Sequence, residues 1–211
     1  MKMAYYLDGR TGIPVPPKVM QATYRDIWSK IEAQNWHSLV DVGCGAGLFI
    51  KKYAPCVKNI IGTDASVHMI KAAQKNNPQN LFFVCEAGRL PFPDQQFDRL
   101  LCYGVFHYLP DKKMAEQTID EFRRVVKNDG LILIGDVLES LNPAPRSSVS
   151  KKNIPWWPSQ LNHQLTKLKI PRTFFLDYCR EQNYVCEILE QNIPGRVLPD
   201  TRYDIRIRLK K

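Results

Sequence analysis

The sequence predicts an α/β fold: a doubly wound, mostly parallel sheet of seven strands, with an antiparallel last strand and helices on both faces. Two observations lead to this class. Short apolar runs alternate with helical segments through most of the chain, as they do in parallel sheets covered by helices. A glycine-rich turn, Gly43–Gly47, joins the first of these runs to a helix. A length of 211 residues, 44% of them hydrophobic, suits one domain with a filled core.

The predicted elements follow from local patterns. Strands are predicted where short apolar runs are bounded by turn residues. In chain order they are Ser38–Val42, Asn59–Thr63, Leu81–Cys85, Phe97–Cys102, Leu131–Gly135, Tyr184–Leu189 and Tyr203–Leu209. Helices are predicted from apolar side chains at helical spacing and from the prolines and caps at their ends. They are Lys18–Gln34, Leu48–Tyr53, Val67–Asn76, Lys112–Lys127 and a short helix, capped by Thr173, that ends at about Glu181.

Other local signals define turns, caps and one sheet edge. Ser66 and Asp111 precede predicted helices and have side chains that commonly cap a helix N-terminus. Asn128–Gly130 has the composition of a turn before the fifth strand. Apolar and charged residues alternate along Tyr203–Leu209, which predicts a half-exposed strand at an edge of the sheet, protected by its charges.

Composition disfavours several classes of protein. No apolar run approaches the roughly 18 residues of a membrane span, and the N-terminus lacks the apolar stretch of a secretory signal. None of the six cysteines forms a C-x-x-C pair, so no metal site is expected. We therefore expect a cytoplasmic protein with reduced thiols.

The net charge of +9 lies mostly outside the predicted core. Residues 37–136 carry 12 basic and 11 acidic side chains, whereas residues 137–211 carry 13 basic and 7 acidic ones. The favoured interpretation is a solvated basic surface. The alternative is attraction for an anionic substrate, such as a phosphorylated metabolite, a nucleotide-sugar or a nucleic acid.

The glycine-rich turn predicts a nucleotide-binding loop, because glycine lets the backbone approach a ligand and the helix start offers free N–H groups. Asp64 follows the second strand, where an acid accepts hydrogen bonds from ribose hydroxyls; a turn or capping role is the alternative. Asp41, two residues before the first glycine, would repel the pyrophosphate of a dinucleotide. The spacing is also G-x-G-x-G rather than G-x-G-x-x-G. Asp41 and this spacing therefore disfavour a nicotinamide dehydrogenase. The ammonium and sulfonium charges of S-adenosylmethionine, by contrast, are compatible with an acidic side chain beside the loop.

Five segments in order resemble the motifs of class I S-adenosylmethionine-dependent methyltransferases, and most of all the ubiquinone/menaquinone methyltransferase-like group. They are Leu39–Phe49, Ile60–Ser66, Cys85–Asp98, Leu101–Tyr108 and Phe122–Gly130. The resemblance covers roughly residues 36–136 and implies a Rossmann-like fold, with S-adenosylmethionine as methyl donor and S-adenosylhomocysteine as product. The family often has Gly-Asp-Ala where this chain has Cys85-Glu86-Ala87.

The same resemblance implies which residues hold the cofactor. Asp41 and the loop backbone would hold its methionine end, Asp64 its ribose, and Glu86 with Ala87 the edge of its adenine. Cys102 or Tyr103 would line the pocket near the methionine moiety. The full set that the resemblance implies is Asp41, Gly43, Cys44, Gly45, Gly47, Asp64, Ala65, Met69, Glu86, Ala87, Gly88, Cys102 and Tyr103.

A single methyltransferase domain is therefore expected over residues 1–211. Residues 1–35 would form an N-terminal arm and helix that cap the substrate, and residues 36–136 the cofactor-binding core. Residues 137–171 form a proline-rich loop that could act as a lid, and residues 172–211 a final helix with two strands.

The methyl acceptor is expected to be a small molecule, methylated at oxygen or nitrogen by in-line displacement. An anionic, saccharide or natural-product-type metabolite would fit. His107 is the candidate general base, with a packing histidine as the alternative. The candidate substrate-binding residues are Tyr5, Tyr6, Tyr103, His107, Trp156 and Trp157.

An RNA methyltransferase that uses the basic flanks, or a non-catalytic cofactor-binding partner of another methyltransferase, remains an alternative. The sequence does not indicate an oligomeric state.

Overall fold

The computed structural model describes residues 15–139, 168–191, 193–195 and 202–208. Its helices are α1 Pro17–Ile31, α2 Leu48–Tyr53, α3 Val67–Asn76, α4 Lys112–Val125 and α5 Arg172–Glu181, with short 3₁₀ helices at Ala54–Cys56 and Phe106–Tyr108. Its strands are β1 Ser38–Val42, β2 Asn59–Asp64, β3 Leu81–Val84, β4 Phe97–Tyr103, β5 Val126–Leu138, β6 Val185–Glu190 and β7 Arg202–Arg208. The predicted alternation of strands and helices is confirmed.

The described strands form one sheet in the order β3-β2-β1-β4-β5-β7-β6. Strands β1 to β5 pair in parallel, and β7 runs antiparallel to both of its neighbours. The predicted Rossmann-like, mostly parallel sheet is thereby confirmed. The chain proceeds outward from β1 to β3 and then returns to place β4 on the other side of β1. In open α/β sheets, ligands bind beyond the carboxyl ends of the strands at such a switch point.

Two apolar cores lie on opposite faces of the sheet. On one face α1, α2 and α3 bury side chains such as Ile31, Ile50 and Ala73 against the strands. On the other face α4 and α5 bury Phe122 and Phe175. This arrangement explains why the central strands are apolar on both faces and lack the alternation of a half-exposed strand.

Helix starts follow the predicted capping chemistry at two of three positions. The Ser66 hydroxyl accepts a hydrogen bond from the Met69 amide at 3.3 Å, and the Asp111 carboxylate accepts one from the Met114 amide at 2.8 Å. The cap predicted at Thr173 is wrong. Helix α5 begins at Arg172, two residues earlier than a cap at Thr173 predicts, and Thr173 lies inside its first turn.

The position predicted for the last strand is also wrong. Strand β7 lies between β5 and β6, and is not at an edge of the sheet. Its charged side chains meet partners within the fold instead of solvent: Asp204 is fully buried and accepts a hydrogen bond from Lys30 of α1 at 2.7 Å. The alternation of apolar and charged residues therefore arises here from ion pairs on one face of the strand, some of them buried.

The turn predicted at Asn128–Gly130 belongs to β5. Phe97 pairs with Val126 and Arg99 with Leu131, so four residues of β5 lie opposite Asp98 alone. Extra residues on one of two paired strands form a β-bulge. Lys127 within it binds the Asp98 carboxylate at 2.7 Å, which holds the bulge to β4.

Two further structural findings concern the cysteines and the helices of the described residues. All six cysteines lie in the described part of the chain, and their thiols are free. No helix among the described residues is long and apolar enough to cross a membrane.

The interior position of β7 predicts a large difference between two matched truncations. Ile205 in β7 is 0% exposed, whereas Leu81 in the edge strand β3 is 61% exposed. Ile205→Ala should lower the free energy of unfolding by about 2–5 kcal/mol, and Leu81→Ala by less than about 1 kcal/mol. Urea denaturation followed by circular dichroism measures both. Equal losses would contradict the sheet order.

Candidate active site

The glycine-rich loop after β1 is fixed by hydrogen bonds to the end of β2. The main-chain carbonyl of Thr63 accepts from the amides of Gly43 and Cys44, at 2.7 and 2.9 Å. The backbone of Gly43 has a φ of +78°, and a Cβ there would lie 2.2 Å from the Val105 side chain. Glycine is therefore required both by the left-handed backbone and by close packing.

The middle glycine differs, because it faces open space. Gly45 has a φ of +53°, and a Cβ built on it would meet nothing within 4 Å. Its amide donates to the Asp64 carboxylate at 2.9 Å. The backbone at Gly45 is thus held rigidly while one side of it stays accessible, as a ligand-binding loop requires.

Two asparagines that sequence reasoning missed hold the other end of this loop. The Asn76 side-chain amide donates to the Ala46 carbonyl at 2.9 Å, and that of buried Asn77 donates to the Gly47 carbonyl at 3.1 Å. Both side chains come from the end of α3. The sequence signal was the Asn-Asn pair before Pro78, which indicates only the end of a helix.

Asp64 makes the hydrogen bonds of the turn-stabilising role that was the alternative to ribose binding. One carboxylate oxygen accepts from the Gly45 amide, and the other accepts from the Ser66 amide at 2.8 Å. The side chain is half-buried, so part of the carboxylate remains accessible at the carboxyl edge of the sheet. It therefore stabilises the turn and lies where a ribose would be bound in folds of this kind.

Asp41 is a carboxylate with little solvent around it. The residue is 4% exposed, and burial, with the negative charge of Asp64, raises the pKa of its carboxyl group to about 7. A nearby cation would stabilise the ionised form. Burial also raises the pKa of the Cys44 and Cys102 thiols, so these side chains stay protonated and are poor nucleophiles.

The residues expected around the adenine lie at the adjoining edge of the sheet. Glu86 is exposed and follows β3, and the Cys85 amide donates to the Asp64 carbonyl at 3.1 Å. This bond brings the two strand ends together. Half-buried residues follow at Ala87 and Gly88, and Ala65 and Met69 are exposed near the start of α3.

The end of β4 contributes two side chains that face different surroundings. Cys102 is fully buried in the core formed with α4 and α5. Tyr103 is half-buried and packs on Gly135 of β5, where a Cβ would lie 2.3 Å from its ring. The Gln191 amide donates to the Tyr103 hydroxyl at 3.1 Å. Tyr103 is thus the one of the two with access to the carboxyl edge.

His107 is buried in the 3₁₀ helix after β4. Its ring centroid lies 4.2 Å from that of Tyr108, and its carbonyl accepts from the Leu168 amide at 3.1 Å. Four other candidate substrate residues, Tyr5, Tyr6, Trp156 and Trp157, lie outside the described residues. Within the described ranges, no cluster of three or more histidine, cysteine or acidic side chains could hold a metal ion.

Comparison with known proteins agrees with this geometry. Residues 40–134 match the family described as "Methyltransferase domain". The uncharacterized methyltransferase YcgJ of Bacillus subtilis is 34% identical over 110 residues, which are 50% of this chain and 42% of that protein. Trans-aconitate 2-methyltransferase of Rhizobium etli is 31% identical over 51% of this chain and 39% of its own. Probable tRNA methyltransferase 9B of Bos taurus is 29% identical over 46% of this chain and 20% of its own.

A solved structure extends the likeness to most of the fold. Geranyl diphosphate C-methyltransferase of Streptomyces coelicolor, solved with S-adenosylhomocysteine, superposes with a TM-score of 0.67. It is 14% identical, and the match covers 90% of this chain and 79% of that one. The likeness at this identity concerns the fold.

The fold, the glycine-rich loop and these matches support a class I methyltransferase. The match to the methyltransferase domain family covers residues 40–134, and the cofactor of this class is S-adenosylmethionine. The chain spans less than half the length of the three curated relatives named above.

The buried carboxyl group of Asp41 predicts a specific pH dependence of stability. Its folded-state pKa of about 7 lies above the ordinary value of 3.8, so the folded protein retains a proton that the unfolded chain loses as pH rises. The free energy of unfolding should therefore fall with increasing pH in this window. Between pH 5 and pH 8, wild type should lose about 2–3 kcal/mol relative to Asp41→Asn.

Urea denaturation of the cofactor-free protein at both pH values measures this difference. Exposed Asp129 provides the control, since Asp129→Asn should follow the wild-type pH dependence. Identical pH responses of wild type and Asp41→Asn would contradict the raised pKa.

Proposed function

We propose that the chain methylates a small-molecule acceptor at oxygen or nitrogen, with S-adenosylmethionine as donor. When bound, this cofactor supplies a methyl group already activated on a sulfonium, for in-line displacement by the acceptor. The protein contributes chiefly by aligning the two reactants, which lowers the entropic part of the barrier.

The site residues fit this cofactor on two structural grounds. The open space beside Gly45 leaves room for a ligand against the loop backbone. The buried carboxylate of Asp41 favours a cation, which the methionine end carries as its ammonium and sulfonium groups. We assign this end to Asp41 and the loop Gly43–Gly47, the ribose to Asp64, and the adenine edge to Glu86 and Ala87.

One observation favours a small acceptor over RNA. The arginines described in the C-terminal flank are all engaged in ion pairs with carboxylates of the same chain. They are Arg172, Arg180, Arg202, Arg206 and Arg208. Arginines whose charge is compensated within the fold offer little attraction to a phosphate backbone. Five of the 13 basic residues in this flank thus have acidic partners within the fold.

We assign two residues, Tyr103 and His107, to the binding site of the methyl acceptor. Tyr103 at the end of β4 would line the acceptor pocket, with its hydroxyl held by Gln191. His107, which follows on the same edge, is assigned as the base that removes the proton of a hydroxyl acceptor. An amine acceptor that binds in its neutral form would not need this step.

The ribose assignment predicts the effect of removing one carboxylate. Asp64→Ala should weaken S-adenosylmethionine binding at least about tenfold, because both the ribose contact and the support of Gly45 are lost. Asp64→Asn keeps the size of the side chain and should also weaken binding. Isothermal titration calorimetry measures the affinities.

Asp111→Ala is the matched control for this test. Asp111, like Asp64, accepts a hydrogen bond from a main-chain amide close in sequence, that of Met114, but at the start of α4. Its removal should cost about 1 kcal/mol of stability and leave the cofactor affinity unchanged. Undiminished affinity in both Asp64 variants would refute the ribose assignment.

The acceptor class is tested by comparing RNA with small molecules. Gel shifts with unfractionated tRNA should show no strong complex, at either about 50 mM or about 200 mM salt. S-adenosylhomocysteine should form when the dialysable fraction of a cell extract is supplied. A tight, salt-sensitive tRNA complex with methylated RNA as product would instead establish the RNA alternative.

A further inference from the structure

The carboxyl edge of the sheet contains a buried ion pair that the cofactor does not explain. Arg202, at the start of β7, and Asp136, near the end of β5, form a salt bridge with side chains only 7% and 6% exposed. Burying two charges costs several kcal/mol per ion, and apolar residues of similar volume would often stabilise the protein as well or better. A functional reason for this pair is therefore worth seeking.

Among the described residues, only part of the Arg202 guanidinium has hydrogen-bond partners. Its hydrogen bonds to described residues all leave from Nη1, towards the carboxylate and the carbonyl of Asp136. By contrast, Arg206 on the same strand and face uses all three nitrogens, bound by Glu32 and Glu187. The Nε–Nη2 edge of Arg202 thus makes no hydrogen bond among the described residues. That edge has the planar, two-donor geometry that binds a carboxylate.

The backbone around Asp136 is held in an uncommon conformation. Asp136 has a φ of +60°, in the left-handed region, at an irregularity of the ladder between β5 and β7. Its amide donates to buried Asp204 at 2.8 Å. Strained residues of this kind concentrate at functional sites, where the surrounding structure over-determines them.

This pair lies beside the proposed acceptor site. The Gly104 amide, directly after Tyr103, donates to the Gly135 carbonyl at 2.9 Å, so the ends of β4 and β5 are joined. Gln191 links Tyr103 to Asp204, with hydrogen bonds of 3.1 and 2.7 Å. Arg202 therefore belongs to the same edge as the residues assigned to the acceptor.

We infer that Arg202, held in place by Asp136, binds a carboxylate group of the methyl acceptor through its Nε–Nη2 edge. This inference rests on the proposed small-molecule function and narrows it to an acidic acceptor. Asp136 orients the guanidinium and partly neutralises its charge. The buried arginine is thereby stabilised while no acceptor is bound. Arg202 is a specificity-determining residue and does not take part in the chemical step.

Binding of simple acids to the full chain, saturated with S-adenosylhomocysteine, tests this inference. Malonate and benzoate serve as probes, each beside its amide, malonamide and benzamide, with binding followed by NMR titration. Wild type should bind at least one acid in preference to its amide. Arg202→Gln should weaken that binding about tenfold to a hundredfold, because charge-assisted hydrogen bonds are lost. Arg206→Gln, the matched control, should leave it unchanged.

A second variant addresses folding, since Arg202→Gln leaves the Asp136 carboxylate buried without its described partner. Asp136→Asn/Arg202→Gln removes both charges and should show the same loss of acid binding, with S-adenosylhomocysteine binding retained. Inorganic phosphate is a further probe and should bind more weakly than the acid.

Four results would overturn the inference: no acid preferred over its amide, acid binding unchanged in both Arg202 variants, an equal loss in Arg206→Gln, or phosphate binding as strongly as the acid. None of these outcomes contradicts the proposed small-molecule function. That function would be contradicted only if tRNA proved to be the methylated product.

Discussion

The active site depends on one set of hydrogen bonds, those that join the glycine-rich loop after β1 to the end of β2. Thr63 accepts from two successive loop amides, and Asp64 accepts from the third at Gly45. Without these bonds, glycines at positive φ would retain the conformational freedom that makes them costly to order. Because the contacts come from a neighbouring strand, the loop is joined to the sheet while Gly45 faces open space.

The same bonds bring two carboxylates to one end of the sheet. Asp41 lies in β1 and Asp64 at the end of β2, and the charge of Asp64 contributes to the raised pKa of Asp41. A site that holds two acids together, one of them buried, disfavours a pyrophosphate and favours a cationic ligand. The proposed binding of a sulfonium nucleoside at this end of the sheet therefore has an electrostatic basis in these two carboxylates.

The sequence predicted elements accurately wherever the determinants are local. Strand β1 and helices α2 and α3 have the predicted bounds, since glycines, the Ser66 cap and Pro78 define their ends within a few residues. The place of β7 could not be predicted in this way. Alternation of apolar and charged residues looks the same at an edge as in the interior, and only the pairing of β7 with β5 and β6 on its two sides distinguishes them. The hydrogen bond from the Asn77 side chain to the loop could not be predicted either, because it joins residues 30 positions apart.

The direction of β7 explains how the basic flank relates to the site. Because this strand is antiparallel, its first residues lie at the carboxyl edge of β5 and its last residues at the opposite edge. Arg206 and Arg208, farther along, are bound to Glu32 after α1 and to Glu187 of β6, where they join the strand to its neighbours. Arg202 occupies the one end of β7 that reaches the ligand-binding edge. In a parallel strand the order would be reversed, and the partly used guanidinium would lie far from the cofactor. The antiparallel last strand thus places the cationic side chain of Arg202 at the same edge of the sheet as the carboxylate of Asp64.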